Sequence, residues 1–309
     1  VTKITKIINS YKPDIFLVYA DRFETFAAAI ASSQTNTVTA HVEGGDITQG
    51  GALDDNVRHA ITKLSHLHFS TNEQASRRIL GMGEEKWRVH TVGYPGIDLI
   101  NKNDFSNKLE IQKIYNIDIL KPIIIFTQHS VSNKFNLVVD QLKPALEAIK
   151  KISSEDDVQC LLTYPNNDAG GIKIYETLKN YVSNNIKVYQ SLGRKNYWGI
   201  LSLAKNPNYR VICVGNSSSG IKETPAFGCP VVNIGTRQLG RLKGKNILEA
   251  NYNTEEIYMA IKKGLYDDEF RDLCRKAKNP YGIGNVGQKI VKILSSVILD
   301  DKLMTKKMT

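Results

Sequence analysis

The sequence predicts an α/β protein with two Rossmann-like domains, each built on a parallel sheet. Three observations carry that prediction. Short apolar runs alternate with stretches of helical periodicity along the chain, which implies parallel strands joined by helical crossovers. A length of 309 residues suits about two domains. The alternation is interrupted once, over the polar residues 96–120, which read as a linker.

The chain opens on a helix-like stretch, Ile4 to Ser10. Ile15-Phe16-Leu17-Val18-Tyr19-Ala20 has the continuous apolar character of a buried parallel strand. Asp21-Arg22-Phe23-Glu24 sets an acceptor three residues before a glutamate, a capping-box-like start for the helix through Phe26 and Ile30. Thr37 to Val42 is the next strand. A glycine-rich segment, Gly44 to Gly51, leads from it to a helix with Val57, Ile61 and Leu64 on one face. A strand at Leu67 to Ser70, a helix near 73–82 and a strand at Arg88 to Val92 complete the first half.

The second alternation begins at Pro122-Ile123-Ile124-Ile125-Phe126. It continues with strands at Val158 to Thr163, Ile186 to Tyr189, Arg210 to Val214, Pro230 to Ile234 and Ile247 to Glu249. Helices over roughly 254–277 and 285–299 close the chain. Between them, Asn279-Pro280-Tyr281-Gly282-Ile283-Gly284-Asn285 reads as a stop and restart, with Asn285 a candidate cap. The expected domains are 1–98, 99–284, and a terminal helix with tail over 285–309. About four strands in the first half face about six in the second. No strand with a glycine-bearing phosphate turn precedes Ile4, so the first domain is expected to be incomplete at its N-terminus.

Composition narrows the class. Hydrophobic residues at 41% and charged residues at 23% fit a soluble globular protein. No apolar run approaches the roughly 20 residues of a membrane helix, and Val1-Thr2-Lys3-Ile4 does not begin a signal peptide. Cys160, Cys213, Cys229 and Cys274 have neither zinc-site nor redox spacing. Cys160 and Cys213 sit in apolar runs and read as core residues, which fits a reducing cytoplasm. The formal charge of +10 could attract nucleic acid, but the lysines are dispersed, with no basic run interleaved with aromatics. A basic domain around a diphosphate and a tail bearing Lys302, Lys306 and Lys307 account for it as well. Neither a metal nor a cofactor is expected, and a homo-oligomer, dimer or tetramer, is.

In open parallel sheets ligands bind at the carboxyl ends of strands. Asp21, Glu43 and the pair Asp54-Asp55 fall at or just beyond such ends. Asp21 equally suits a helix N-cap, and Asp54 a first-turn acid favoured by the helix dipole. Glu43 before Gly44-Gly45 points instead to close approach by a ligand. His129 follows the first strand of the second half, where it can contact a diphosphate or act as an acid, or simply pack on the next helix. His66 and His68 read as structural. Gly215-Asn216-Ser217-Ser218-Ser219-Gly220 opens a helix and can offer backbone N–H groups to an anion, unless Ser217 only caps that helix. Glu223 lies one to two turns in and can accept both hydroxyls of a ribose. Arg237 and Arg241, in the glycine-bearing loop after Ile234, suit phosphate or carboxylate recognition.

These segments together resemble the hydrolysing UDP-N-acetylglucosamine 2-epimerases of sialic-acid-type sugar synthesis. The carrying stretches are Ala20-Asp21-Arg22, His41-Val42-Glu43-Gly44-Gly45-Asp46, Gly51-Ala52-Leu53-Asp54-Asp55-Asn56-Val57-Arg58-His59, Gln128-His129, Gly215 to Glu223 and Gly235-Thr236-Arg237-Gln238. They span nearly the whole chain in order. The resemblance implies the GT-B fold, with the active site in a cleft between domains and a last helix crossing back to the first domain. It puts the catalytic acids on Asp21, Glu43 and Asp54, the cleft histidine on His129, and nucleotide contacts on Arg22, Ser217, Ser218, Glu223 and Arg237. The family's N-terminal glycine/arginine turn has no counterpart here. The implied activity is hydrolytic epimerisation of a sugar nucleotide. The rivals are a GT-B glycosyltransferase, which needs an acceptor site rather than three first-domain acids, and a non-catalytic sugar-nucleotide binder.

Overall fold

The computed structural model describes residues 1–48, 53–166 and 169–307. They form two compact units: Val1–Asn101 with Tyr281–Thr309, and Lys102–Pro280. Among the described residues no helix is long and apolar enough to cross a membrane.

The first unit holds strands β1 (Ile15–Tyr19), β2 (Val38–Val42), β3 (Leu67–Ser70) and β4 (Val89–Thr91), all parallel and in the order β1-β2-β3-β4. Strands β2 and β3 are buried along their whole length. Strand β1 lies at an edge; Val18 is buried, while Leu17 and Tyr19 are half exposed. One face of the sheet packs Val38, Ala40, Leu67 and Phe69 against Val286, Ile290 and Leu303 from the end of the chain. The chain enters this unit at Tyr281, which is fully buried and accepts from the Tyr94 N–H.

The lysine-bearing tail is bound to this unit. Arg88, fully buried, donates to the carbonyls of Lys302, Leu303 and Thr305 around the short helix Asp301–Met304. Lys306 donates to Glu84 at 2.8 Å, and Lys63 and His68 reach the same carboxylate at 2.7 and 3.0 Å. Burial pushes the Glu84 carboxyl up, but its bonds to His68, Lys306 and Lys63 outweigh that and bring it down to about 2 from an ordinary 4.5. A carboxyl depressed in the folded state stabilises above its unfolded pKa and ceases to as pH falls through its folded one. The first unit is therefore expected to lose stability from about pH 4.5 toward pH 2. In Glu84→Gln, acid titration followed by circular dichroism should show that dependence flattened.

The second unit holds β5 (Ile123–Thr127), β6 (Gln159–Thr163), β7 (Ile186–Tyr189), β8 (Val211–Gly215), β9 (Val231–Ile234) and β10 (Ile247–Ala250). All are parallel, in the order β10-β9-β8-β5-β6-β7. Chain order reverses between β5 and β8, the topological switch point of a doubly wound sheet. There the two backbones pass so closely that a Cβ on Gly215, whose φ is 127°, would meet the Thr127 carbonyl oxygen at 2.0 Å. Helices Val138–Glu155 and Thr254–Tyr266 cover one face, burying Leu142, Leu146, Ile149, Ile257 and Ile261. All four cysteines are buried thiols.

Three local expectations fail. The stretch read as a linker carries helices Gly96–Asn101 and Lys108–Tyr115, the latter started by a full capping box between Asn107 and Glu110. Asp21 caps nothing: the helix Phe23–Gln34 begins after Arg22 with no side-chain cap. Asn285, at φ 60°, also makes no side-chain cap; Asp98 accepts from the N–H groups of Val286 and Gly287 in its place.

Candidate functional site

In the first unit the acids cluster because parallel strands in register end together. Tyr19 lies beside Val42, so the segments after β1 and β2 emerge side by side. Ala20 and Glu43, the residues immediately beyond the two strands, both adopt positive φ, 59° and 67°. A side chain in that region costs of order 1 kcal/mol and persists where the surroundings over-determine it. His41 supplies part of that constraint. It is fully buried, and burial pushes its pKa down to about 3, so it is a neutral imidazole. Its Nε2 donates to the Ala20 carbonyl at 2.9 Å, because a carbonyl only accepts. The Glu43 N–H donates to the Phe69 carbonyl of β3 at 2.9 Å.

Arg58 is the hub of this cluster. It sits on the helix Leu53–Leu64 and is 2% exposed. Its guanidinium bonds Asp21 and Asp55, the Asp46 carbonyl at 2.8 Å and the Thr48 hydroxyl at 3.3 Å. Burial works against its charge, but Asp21, Asp46 and Asp55 more than compensate and raise its pKa. Asp55 also accepts from the Thr48 N–H at 2.8 Å. The buried member of the Asp54-Asp55 pair is thus a structural ligand of Arg58, while Asp54 lies partly exposed in the first turn. Gly51 and Ala52, just before it, lie outside the described residues.

The glycines after Glu43 have a packing reason. A Cβ on Gly45, at φ 75°, would stand 2.3 Å from the Ala75 carbonyl oxygen, and one on Gly44 would meet His41 at 2.9 Å. Close approach by the protein's own backbone and side chains therefore requires glycine at these positions. Arg22 is exposed and pairs with Glu24 at 3.1 Å. His66, accepting from the Thr39 N–H at 3.0 Å, and His68, facing Glu84, are structural as expected.

In the second unit the loops after β5, β8 and β9 meet at Asn216. Its side chain accepts from the His129 N–H at 2.7 Å and donates to the His129 carbonyl at 2.9 Å. Its own carbonyl accepts from Arg237 at 3.2 Å and Gln238 at 2.7 Å. One asparagine therefore ties together the three strand ends at the switch point. His129 Nδ1 accepts from the Asn166 N–H at 3.1 Å, so the ring proton resides on Nε2. Burial and then the Arg237 charge push this histidine down to about 3, making it a neutral donor rather than a ready acid.

Ser217 does cap the helix Ser218–Lys222, accepting from the Ser219 N–H. Ser219 in turn lies 3.0 Å from the Tyr197 hydroxyl. Glu223 follows that helix and accepts from Trp198 Nε1 at 2.6 Å. Two open grooves of this unit, 590 and 320 Å³, share Asn184 and Asn185 at the amino ends of β6 and β7, the end opposite these residues.

Sequence reasoning missed Tyr19, Arg58 as a hub, Asn216 and Trp198. Arg58 had a signal, since it stands four residues after Asp54 and three after Asp55 on one helix. Trp198 had none, because only the fold brings it to Glu223.

Comparison with known proteins shows the family and the fold. The family model described as UDP-N-acetylglucosamine 2-epimerase matches residues 1–295. A Campylobacter jejuni protein named GDP/UDP-N,N'-diacetylbacillosamine 2-epimerase (hydrolyzing) is 34% identical over 293 residues, covering 94% of this chain and 73% of the relative. A Neisseria meningitidis UDP-N-acetylglucosamine 2-epimerase is 31% identical over 263 residues, covering 85% of this chain and 66% of the relative. A Legionella pneumophila UDP-N,N'-diacetylbacillosamine 2-epimerase (hydrolyzing) is 30% identical, covering 98% and 76%. The chain thus spans about two thirds to three quarters of these relatives' length. In fold it is similar to the crystal structure of a Neisseria meningitidis UDP-GlcNAc 2-epimerase bound to UDP-GlcNAc. The TM-score is 0.79 at 20% identity, covering 96% of this chain and 80% of that one. With two parallel-sheet α/β units, an acid cluster after β1 and β2, and a family match along nearly its whole length, the chain belongs to the UDP-N-acetylglucosamine 2-epimerase family.

Proposed function

We propose that the chain is a hydrolysing 2-epimerase. Its substrate is a nucleotide-linked 2-acetamido sugar, UDP-N-acetylglucosamine or a 2,4-diacetamido-trideoxy relative. The products are the free manno-configured sugar and a nucleoside diphosphate. The observation that carries this reading is the acid cluster: Asp21 and Glu43 beyond adjacent strands, with Asp54 on the helix that supplies Arg58. The relatives named as hydrolyzing support the same branch.

The chemistry needs more than one acid/base group. The C2 proton beside an acetamido group is too weakly acidic for direct abstraction by a carboxylate. Departure of the diphosphate builds positive charge at C1 and makes that proton removable. A carboxylate takes it, giving a 2-acetamidoglucal. Water then adds at C1 while a second acid protonates the opposite face of C2. Asp21, Glu43 and Asp54 are the candidates for these transfers. Ser217, Ser218 and Arg237 are assigned to the diphosphate, Arg22 to the nucleotide, Glu223 to the ribose, and His129 to catalysis at the departing diphosphate. In this reading His129 contributes a neutral Nε2–H donor.

Proton NMR in deuterated water tests the reaction. Free sugar bearing deuterium at C2 is expected without any acceptor; product lacking it would sink the elimination route. For the nucleotide, Glu223→Ala is expected to weaken nucleoside diphosphate binding by about 1–3 kcal/mol, the range for stranded polar partners. Unchanged affinity by calorimetry would leave Glu223 with a structural role, bonded to Trp198.

A further inference from the structure

Tyr19 is the last residue of β1 and is 49% exposed. Its hydroxyl donates to Oε1 of Glu43, a side chain only 7% exposed. The pairing follows from register: Tyr19 stands beside Val42, so its ring reaches the residue just beyond β2. The Glu43 main chain is held separately, at φ 67° and by its N–H to Phe69. Backbone and carboxylate are therefore fixed from two different neighbouring strands.

We infer that Tyr19 is a positioning residue for Glu43, orienting its carboxylate for the proton-accepting step at C2. This rests on the reaction proposed above. A phenol donating to one carboxylate oxygen holds the group in one orientation and leaves the other oxygen to take the proton. In that step the C2–H bond breaks and its proton passes to Glu43. The bonding pair becomes the C1–C2 double bond as the C1–O bond breaks, and the nucleoside diphosphate departs with the C1–O pair. Glu43 is left protonated, and delivering a proton to the opposite face of C2, as water adds at C1, falls to Asp21 or Asp54.

Tyr19→Phe removes one oxygen and keeps the ring, so the test is clean. Steady-state turnover of the full chain is measured with C2-protiated and C2-deuterated UDP-N-acetylglucosamine and with the diacetamido analogue, alongside a thermal melt. KM should stay within about twofold while kcat falls about ten- to a hundredfold, as expected for losing a hydrogen bond to a charged group. The isotope effect on kcat should grow, because proton removal becomes more nearly rate-limiting. Turnover and isotope effect both unchanged would overturn the assignment. So would a fall in kcat with an unchanged isotope effect and a lowered melting temperature, which marks a structural role. A wild-type chain that neither releases free sugar nor exchanges the C2 hydrogen overturns the reaction itself, and the role of Tyr19 with it. Wild-type turnover with an indifferent Tyr19→Phe overturns the Tyr19 assignment alone.

Discussion

Glu43→Gln is expected to lower turnover by at least about a hundredfold, the lower end for removing an acid/base group. Its melting temperature should stay within a few degrees, since about 1 kcal/mol shifts a domain of this size by roughly 2–4 °C. Glutamine keeps the shape and can still accept from Tyr19, so the loss isolates proton transfer. Glu43→Gly sharpens the test. At φ 67° a glycine carries no Cβ penalty, so this variant should melt no lower than wild type while being just as inactive. A protein that gains stability by losing Glu43 would be holding it in strain for function. Asp54→Asn should match Glu43→Gln in turnover. Asp21→Asn should do so too but melt lower, because it leaves the Arg58 charge with less compensation. Near-normal turnover in Asp21→Asn would make Asp21 a structural partner of Arg58 and leave Glu43 and Asp54 as the acid/base candidates.

The second large effect is on stability. Arg58→Ala should cost about 3–5 kcal/mol, because it leaves buried Asp55 and part-buried Asp21 without their counter-charge. In a thermal melt that is a drop of order 10 °C. Arg58→Lys should fall between the two, since an ammonium restores the charge but not the fork that bonds both aspartates. A melt of Arg58→Ala within about 2 °C of wild type would show that Arg58 is not the hub of the cluster.

Both expectations rest on contacts that differ in how they are written in the chain. The alternation of apolar runs and helical periods, the four-and-six division of strands and the parallel pairing were legible from sequence. They depend on local periodicity and on crossover lengths. Polar surface composition hid the helices Gly96–Asn101 and Lys108–Tyr115, each with only two buried residues. The Asn107/Glu110 spacing was the signal passed over.

The candidate residues were legible in kind, as carboxylates, serines and arginines following strands. Which of them have partners was not. Asp21 looked like a cap because Glu24 stands three residues on, yet it pairs with Arg58, 37 residues away, across the ends of adjacent strands. Asp54 and Asp55 are equivalent in sequence. Only the rotation of the helix buries Asp55 on Arg58 and leaves Asp54 partly exposed. Asn216 and Trp198 gained their partners from the β5/β8 switch point and from the packing around Glu223. The sequence by itself determined the two α/β units and the residue types at their strand ends, because periodicity and turn chemistry act over a few neighbours. The tertiary structure alone decided the distant pairs, because register and packing bring Asp21 to Arg58 and Trp198 to Glu223, groups that no spacing rule connects.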